Sequence, residues 1–124
     1  MESMTITAEQ AAAATVAPAI DRAHLAHATF GDRNLEREVL LLFDRQVVLL
    51  IARMRTSSPS AVAGLAHTLK GSASGIGAWS VVRAAEAAEL AATKGEGECD
   101  VAVRGLAAAV DEARCAIVEL MRGS

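Results

Sequence analysis

Apolar positions between residues 20 and 122 recur at steps of three and four, the spacing of one face of an α-helix at about 3.6 residues per turn. The longest pattern opens at Asp32, a good N-cap, and runs to about Thr56. Leu35, Val39, Leu42, Phe43, Gln46, Val47, Leu50 and Met54 form its stripe. Leu40, Leu41, Val48, Leu49 and Ile51 spread apolar character onto the other faces, so this helix needs cover on more than one side. Residues 8–17, AEQAAAATVA, have high helix propensity and are the expected cover, with a dimer interface as the alternative. Ser57-Ser58-Pro59 breaks the pattern, with Ser58 as the next N-cap and Pro59 as the first helical residue. Val62, Leu65, Leu69, Ala73 and Ile76 carry the following helix to about Ser74 or Ile76. Gly77 then separates it from a helix over about 78–94, with Val81, Ala84, Ala88 and Ala91 on one stripe. Gly95-Glu96-Gly97 makes a turn. Val103, Leu106, Val110, Ala113, Ile117 and Leu120 mark a last helix over about 98–121. Upstream, Pro18 ends or redirects the first helical piece, and Asp21 caps a short helix through about Thr29, stopped by Gly31.

Composition strengthens the helical reading. The chain is 52% hydrophobic, much of it alanine, with three aromatic residues (Phe30, Phe43, Trp79) and two prolines. Few β-branched runs argue against a sheet, and small side chains let helices pack closely. The expected fold is all-α: an antiparallel four-helix bundle over residues 20–122, with residues 1–19 as a short, partly helical N-terminal extension. At 124 residues one domain is expected. The 3-4 repeat of the last helix also fits a coiled-coil seam, but the earlier helices need a partner, which favours intramolecular packing.

Charge and hydropathy remove several functions. A net charge of −3 with interspersed signs lacks the basic footprint of a nucleic-acid binder. No apolar run reaches the roughly 18 residues of a membrane span, and the N-terminus lacks a basic region followed by a hydrophobic block. A cytoplasmic protein is expected. Cys99 and Cys115 fit that compartment as free thiols, and no metal motif surrounds them. His24 and His27 lie three apart without a third ligand, which makes surface or half-buried histidines of them; no metal is expected. Neither a P-loop nor a Gly-rich nucleotide loop with metal-binding partners occurs, so no cofactor and no autonomous kinase activity are expected.

His67 is where the pattern turns unusual. At about 100° per residue it lies roughly 200° from Leu65 and Leu69, pointing away from the core. Its face continues through Lys70 and Gly71 to Ser74 and Ala78, with one ammonium and almost no other bulk. A solvated helix face ordinarily carries Glu, Lys, Arg and Gln. Each glycine inside a helix costs about 1 kcal/mol relative to alanine, and Gly71 sits a full turn before any plausible helix end. Since Gly71 is off the apolar stripe, it is better read as clearing space over His67 than as allowing a close helix crossing.

His67-Thr68-Leu69-Lys70-Gly71-Ser72-Ala73, followed by Gly77-Ala78, resembles the signature of histidine-containing phosphotransfer (HPt) domains. Phe30-Gly31-Asp32 and Glu38-Val39-Leu40-Leu41-Leu42-Phe43 resemble that family's entry into its first long helix. Glu89 falls twenty-two residues after His67, where the family usually has Glu or Gln. The resemblance covers roughly residues 20–122. It implies that His67 is the phosphoacceptor, transferring through Nε2 in line with an aspartyl phosphate, and that Lys70 stabilises the phosphoryl oxygens. It implies that Glu89 accepts from Nδ1–H and holds the tautomer with the outer nitrogen free. Ser72 or Ser74 is a further candidate for a hydroxyl contact.

Gly71, Ser74 and Ala78 would form the docking face for a response-regulator receiver domain. The implied function is relay of a phosphoryl group between His67 and receiver aspartates in a two-component phosphorelay, not an enzyme's turnover. A hybrid sensor histidine kinase is the implied source. A monomer is expected, with a dimer as the alternative. A helical adaptor or scaffold that binds a receiver or kinase domain without being phosphorylated is the competing reading. A histidine-kinase dimerisation domain fits less well, because Thr68-Leu69-Lys70-Gly71 has neither the acid nor the proline of that motif.

Overall fold

The computed structural model describes residues 18–123. Five helices follow one another: α1 (Arg22–Ala28), α2 (Arg33–Arg55), α3 (Pro59–Ile76), α4 (Trp79–Ala91) and α5 (Glu96–Arg122). No strand occurs among the described residues. Short connections make α2 to α5 successive antiparallel neighbours, and α2 also packs against α5, which closes a four-helix bundle. The expected helical piece at residues 8–17 lies outside the described residues.

Local chemistry sets the boundaries. The Asp21 carboxylate accepts from the His24 amide at 3.1 Å, and Asp32 accepts from the Asn34 and Leu35 amides at 2.9 and 3.1 Å, each capping a helix start. Between α1 and α2, Phe30 (φ 56°) and Gly31 (φ 72°) are both left-handed, and the Gly31 amide donates back to the Ala26 carbonyl at 2.8 Å. Pro59 opens α3 as expected, but Ser58 makes no side-chain cap; its hydroxyl lies 3.3 Å from that of Ser60. Gly95 (φ 119°) turns the chain into α5, which begins at Glu96, two residues before the expected start at about 98, so Glu96 and Gly97 belong to the helix and not to the expected turn.

The core is built from the four long helices and sealed at one end by Ile20 and Leu25. On α2, Leu40, Phe43, Val47, Leu50, Ile51 and Met54 are buried, whereas Leu42 is 62% exposed. The buried stripe is thus rotated from the one drawn on periodicity. The α2 helix sits between α3 and α5, so the side chains towards α5 sink and Leu42 stays out. The α3–α4 pair is the most extensively packed of the bundle, and half of its buried residues are alanines: Ala66, Ala73, Ala85 and Ala88. Leu65 and Ala84, assigned to the core stripes from sequence, are only half-buried, with Ala66 and Ala85 taking their places. An ion pair fastens α5 to α2, with the Arg114 guanidinium donating to Asp44 at 2.8 Å.

Candidate functional site

His67 occupies the middle of α3 and projects from the bundle, its side chain 70% exposed. It does so because Val62, Ala66, Leu69, Ala73 and Ile76 anchor the opposite face of α3 with 7% exposure or less. The α3–α4 hairpin then returns a carboxylate to the same level. Glu89 Oε2 lies 3.4 Å from His67 Nδ1, and Glu89 Oε1 lies 3.2 Å from Lys70 Nζ. The three side chains expected to act together are brought together.

Burial differs across the trio, and that difference fixes what each can do. Glu89 is 27% exposed and Lys70 30%, so both sit below the ring, while the far side of the imidazole faces water. The contact at Nδ1 is longer than an ordinary N–H···O bond of about 2.9 Å. Glu89 Oε1 is inaccessible to solvent and makes no aligned hydrogen bond; Lys70 neutralises it as an ion pair without that alignment. Among the described residues neither Ser72 nor Ser74 hydrogen-bonds the ring.

The surface beside the ring is bare. A Cβ added at Gly64, Gly71 or Gly75 would meet nothing within 4 Å, so none of these glycines serves a close helix crossing. Ser74 is half-buried. Ala78 departs from expectation: it is fully buried at the start of α4. Gly77 (φ 76°) ends α3 with the Ala78 amide donating to the Ala73 carbonyl at 2.9 Å, and the 100° step that placed Ala78 on the histidine face stops there. On the neighbouring helix α2, Leu42 and, seven residues on along the same face, Leu49 are each 62% exposed. A shallow groove joins Leu42 and Gln46 of α2 to Gly71 and Gly75 of α3.

A support that periodicity does not reveal lies at the end of α3. The Trp79 indole N–H donates to Asp21 Oδ2 at 3.0 Å, the Asp21 amide donates to the Gly77 carbonyl at 2.9 Å, and the His24 ring meets Trp79 edge-on at 4.9 Å. A side chain at Gly77 would approach Asp21 Cβ to 2.9 Å. The only sequence signal for this corner is the chain's single tryptophan placed two residues after a glycine. No group of three or more His, Cys, Asp or Glu side chains gathers into a metal site among the described residues.

The Hpt domain family model matches residues 33–116. Among solved structures, the histidine phosphotransferase ShpA from Caulobacter crescentus superposes with a TM-score of 0.68 at 28% identity, over 85% of this chain and 92% of that one. No curated protein matches the chain.

Proposed function

The chain belongs to the Hpt domain family, a phosphorelay carrier by that membership, and on this premise we propose that His67 is the residue that carries the phosphoryl group. The observation that supports it most is the arrangement around one exposed imidazole: a carboxylate behind Nδ1, an ammonium beside it, and glycines where bulk would block approach.

The step needs only these groups. With Glu89 facing Nδ1–H, the lone pair on Nε2 points to solvent. It forms the N–P bond as the P–O bond to a receiver's aspartyl phosphate breaks, and that oxygen leaves with its electron pair as a carboxylate. The Nδ1 proton stays on the ring, which becomes positively charged opposite Glu89. Lys70 lies within reach of the phosphoryl oxygens, where a positive charge offsets the negative charge they bring. A scaffold that docked without accepting phosphate would require neither group.

Hpt domains interact with receiver domains and histidine kinases. The docking face on this chain is the bare strip of Gly64, Gly71 and Gly75 beside His67, bordered by Leu42 and continued along the same face of α2 by the exposed Leu49. Exposed apolar side chains next to a reactive group favour a protein partner, since burying each leucine contributes on the order of 1 kcal/mol or more. No helix among the described residues is long and apolar enough to cross a membrane. The chain does not make phosphoryl groups itself. Incubation with a phosphorylated receiver domain should place label on His67, and ATP with magnesium alone should not. Label on another residue, or labelling by ATP without a kinase, would refute the assignment.

A further inference from the structure

Glu89 touches both other members of the site at once, with one carboxylate oxygen on each. We infer that Glu89 sets the lifetime of the phosphorylated histidine, by competing with the phosphoryl group for Lys70 and by stabilising the charged ring. The inference rests on His67 as the phosphoacceptor.

In the unphosphorylated protein the Lys70 ammonium is already engaged 3.2 Å from Glu89 Oε1. That oxygen is closed off from water and has no aligned hydrogen bond, so Lys70 is its sole neutralising partner among the described residues. An arriving phosphoryl group must draw the ammonium away. A buried carboxylate oxygen left behind without a partner is costly, so Glu89 resists the transfer of Lys70. The phosphoryl group on His67 is therefore held by an ammonium that is only partly released to it.

The second carboxylate oxygen acts in the same direction. Attack through Nε2 leaves the ring protonated at Nδ1, and Oε2 lies 3.4 Å from that atom. A negative charge there attracts the positive charge that N–P bond formation places on the ring. When the phosphoryl group leaves, the N–P bond breaks and its electron pair returns to Nε2, a move that a positively charged ring accepts more readily than a neutral one. Both contacts make the phosphohistidine a ready donor. A glutamine at this position would still accept from Nδ1–H but would bring no charge, freeing Lys70 and withdrawing support from the cationic ring.

The test uses the full chain, labelled on His67 with phosphoramidate, then freed of donor, with loss of label to water followed as released inorganic phosphate. Glu89→Gln should lengthen the lifetime about fivefold, within what one partly exposed charge contact supplies. Nitrogen NMR of the His67 ring should show the same tautomer in the variant, separating this effect from ring orientation. Adding Lys70→Ala to Glu89→Gln should shorten the lifetime again, since the freed ammonium would be what holds the phosphoryl oxygens. An unchanged lifetime in Glu89→Gln would leave Glu89 a purely orienting group and overturn the inference. A double variant as long-lived as Glu89→Gln alone would overturn the competition for Lys70. If the unaltered chain takes no label on His67, the phosphoacceptor assignment itself fails, a result distinct from both.

Discussion

The indole of Trp79 donates a hydrogen bond of 3.0 Å to the carboxylate of Asp21, fifty-eight positions earlier in the chain. The same carboxylate caps α1 through the His24 amide, and the Asp21 backbone closes on the Gly77 carbonyl. One residue thus pins the short first helix to the turn that fixes the length of α3 and the register of α4. Glu89 rides on α4, so this corner also bears on how the carboxylate meets His67.

Gly77 is the point where that corner tolerates least change. Its left-handed backbone costs an L-residue about 1–2 kcal/mol, and its added Cβ would press on Asp21. Gly77→Ala should destabilise by at least that amount in denaturant unfolding, with quenching of Trp79 altered in step.

Asp21 should give the fold a measurable acid dependence. The Trp79 indole N–H, and after it the His24 amide, hold its carboxyl below the usual carboxylate range. A folded-state value below the unfolded one stabilises the fold above the unfolded pKa, and that support is lost as pH falls through the folded value. Melting temperatures of the unaltered protein and Asp21→Ala should differ by a constant margin at neutral pH. The gap should narrow below about pH 4, the ordinary aspartate range. A margin that stays constant to pH 2 would mean that the ionised carboxylate does not support the corner.

His67→Gln should abolish phosphoryl acceptance from both a receiver and phosphoramidate. Because the side chain is largely in solvent, stability should change by no more than about 0.5 kcal/mol. Phosphopeptide mapping and thermal unfolding check the two halves separately.

Gly71 separates access from folding. Gly71→Ala should stabilise α3 by up to about 1 kcal/mol, since its Cβ enters open space, with transfer little changed. Gly71→Gln should stay folded yet slow transfer from a receiver far more than from phosphoramidate, which needs less room. Equal slowing with both donors would place the docking face elsewhere.

Leu42 and Leu49 should matter to the partner and not to the bundle. Replacing both with Glu should weaken receiver binding at least tenfold by calorimetry, the order of effect expected where apolar anchors are lost. Phosphoramidate labelling and melting temperature should be close to those of the unaltered protein.

The amino-acid sequence by itself determined the five helices of the described residues, most of their ends and the outward direction of His67. These are local properties. Asp32 caps its own helix, Pro59 can only begin one, and the 3-4 spacing from Val62 to Ile76 leaves His67 on the far side whatever the rest of the chain does. Glu89 was legible through its place twenty-two residues after His67, where the resembled family usually has Glu or Gln.

Only the tertiary structure decided which neighbours each helix has, and the rotated core face of α2 follows from that. Leu42 is exposed because α2 turns towards α5 as well as α3, a rotation that a helix's own periodicity does not contain. Ala78 is buried because a left-handed glycine resets the helical phase at the turn. The bond from Trp79 to Asp21 joins residues that no sequence period relates, and the distances at which Glu89 spans His67 and Lys70 are set by how α4 packs on α3. Both arise from packing, which turns polar groups on different elements towards one another where a helix's own period does not reach.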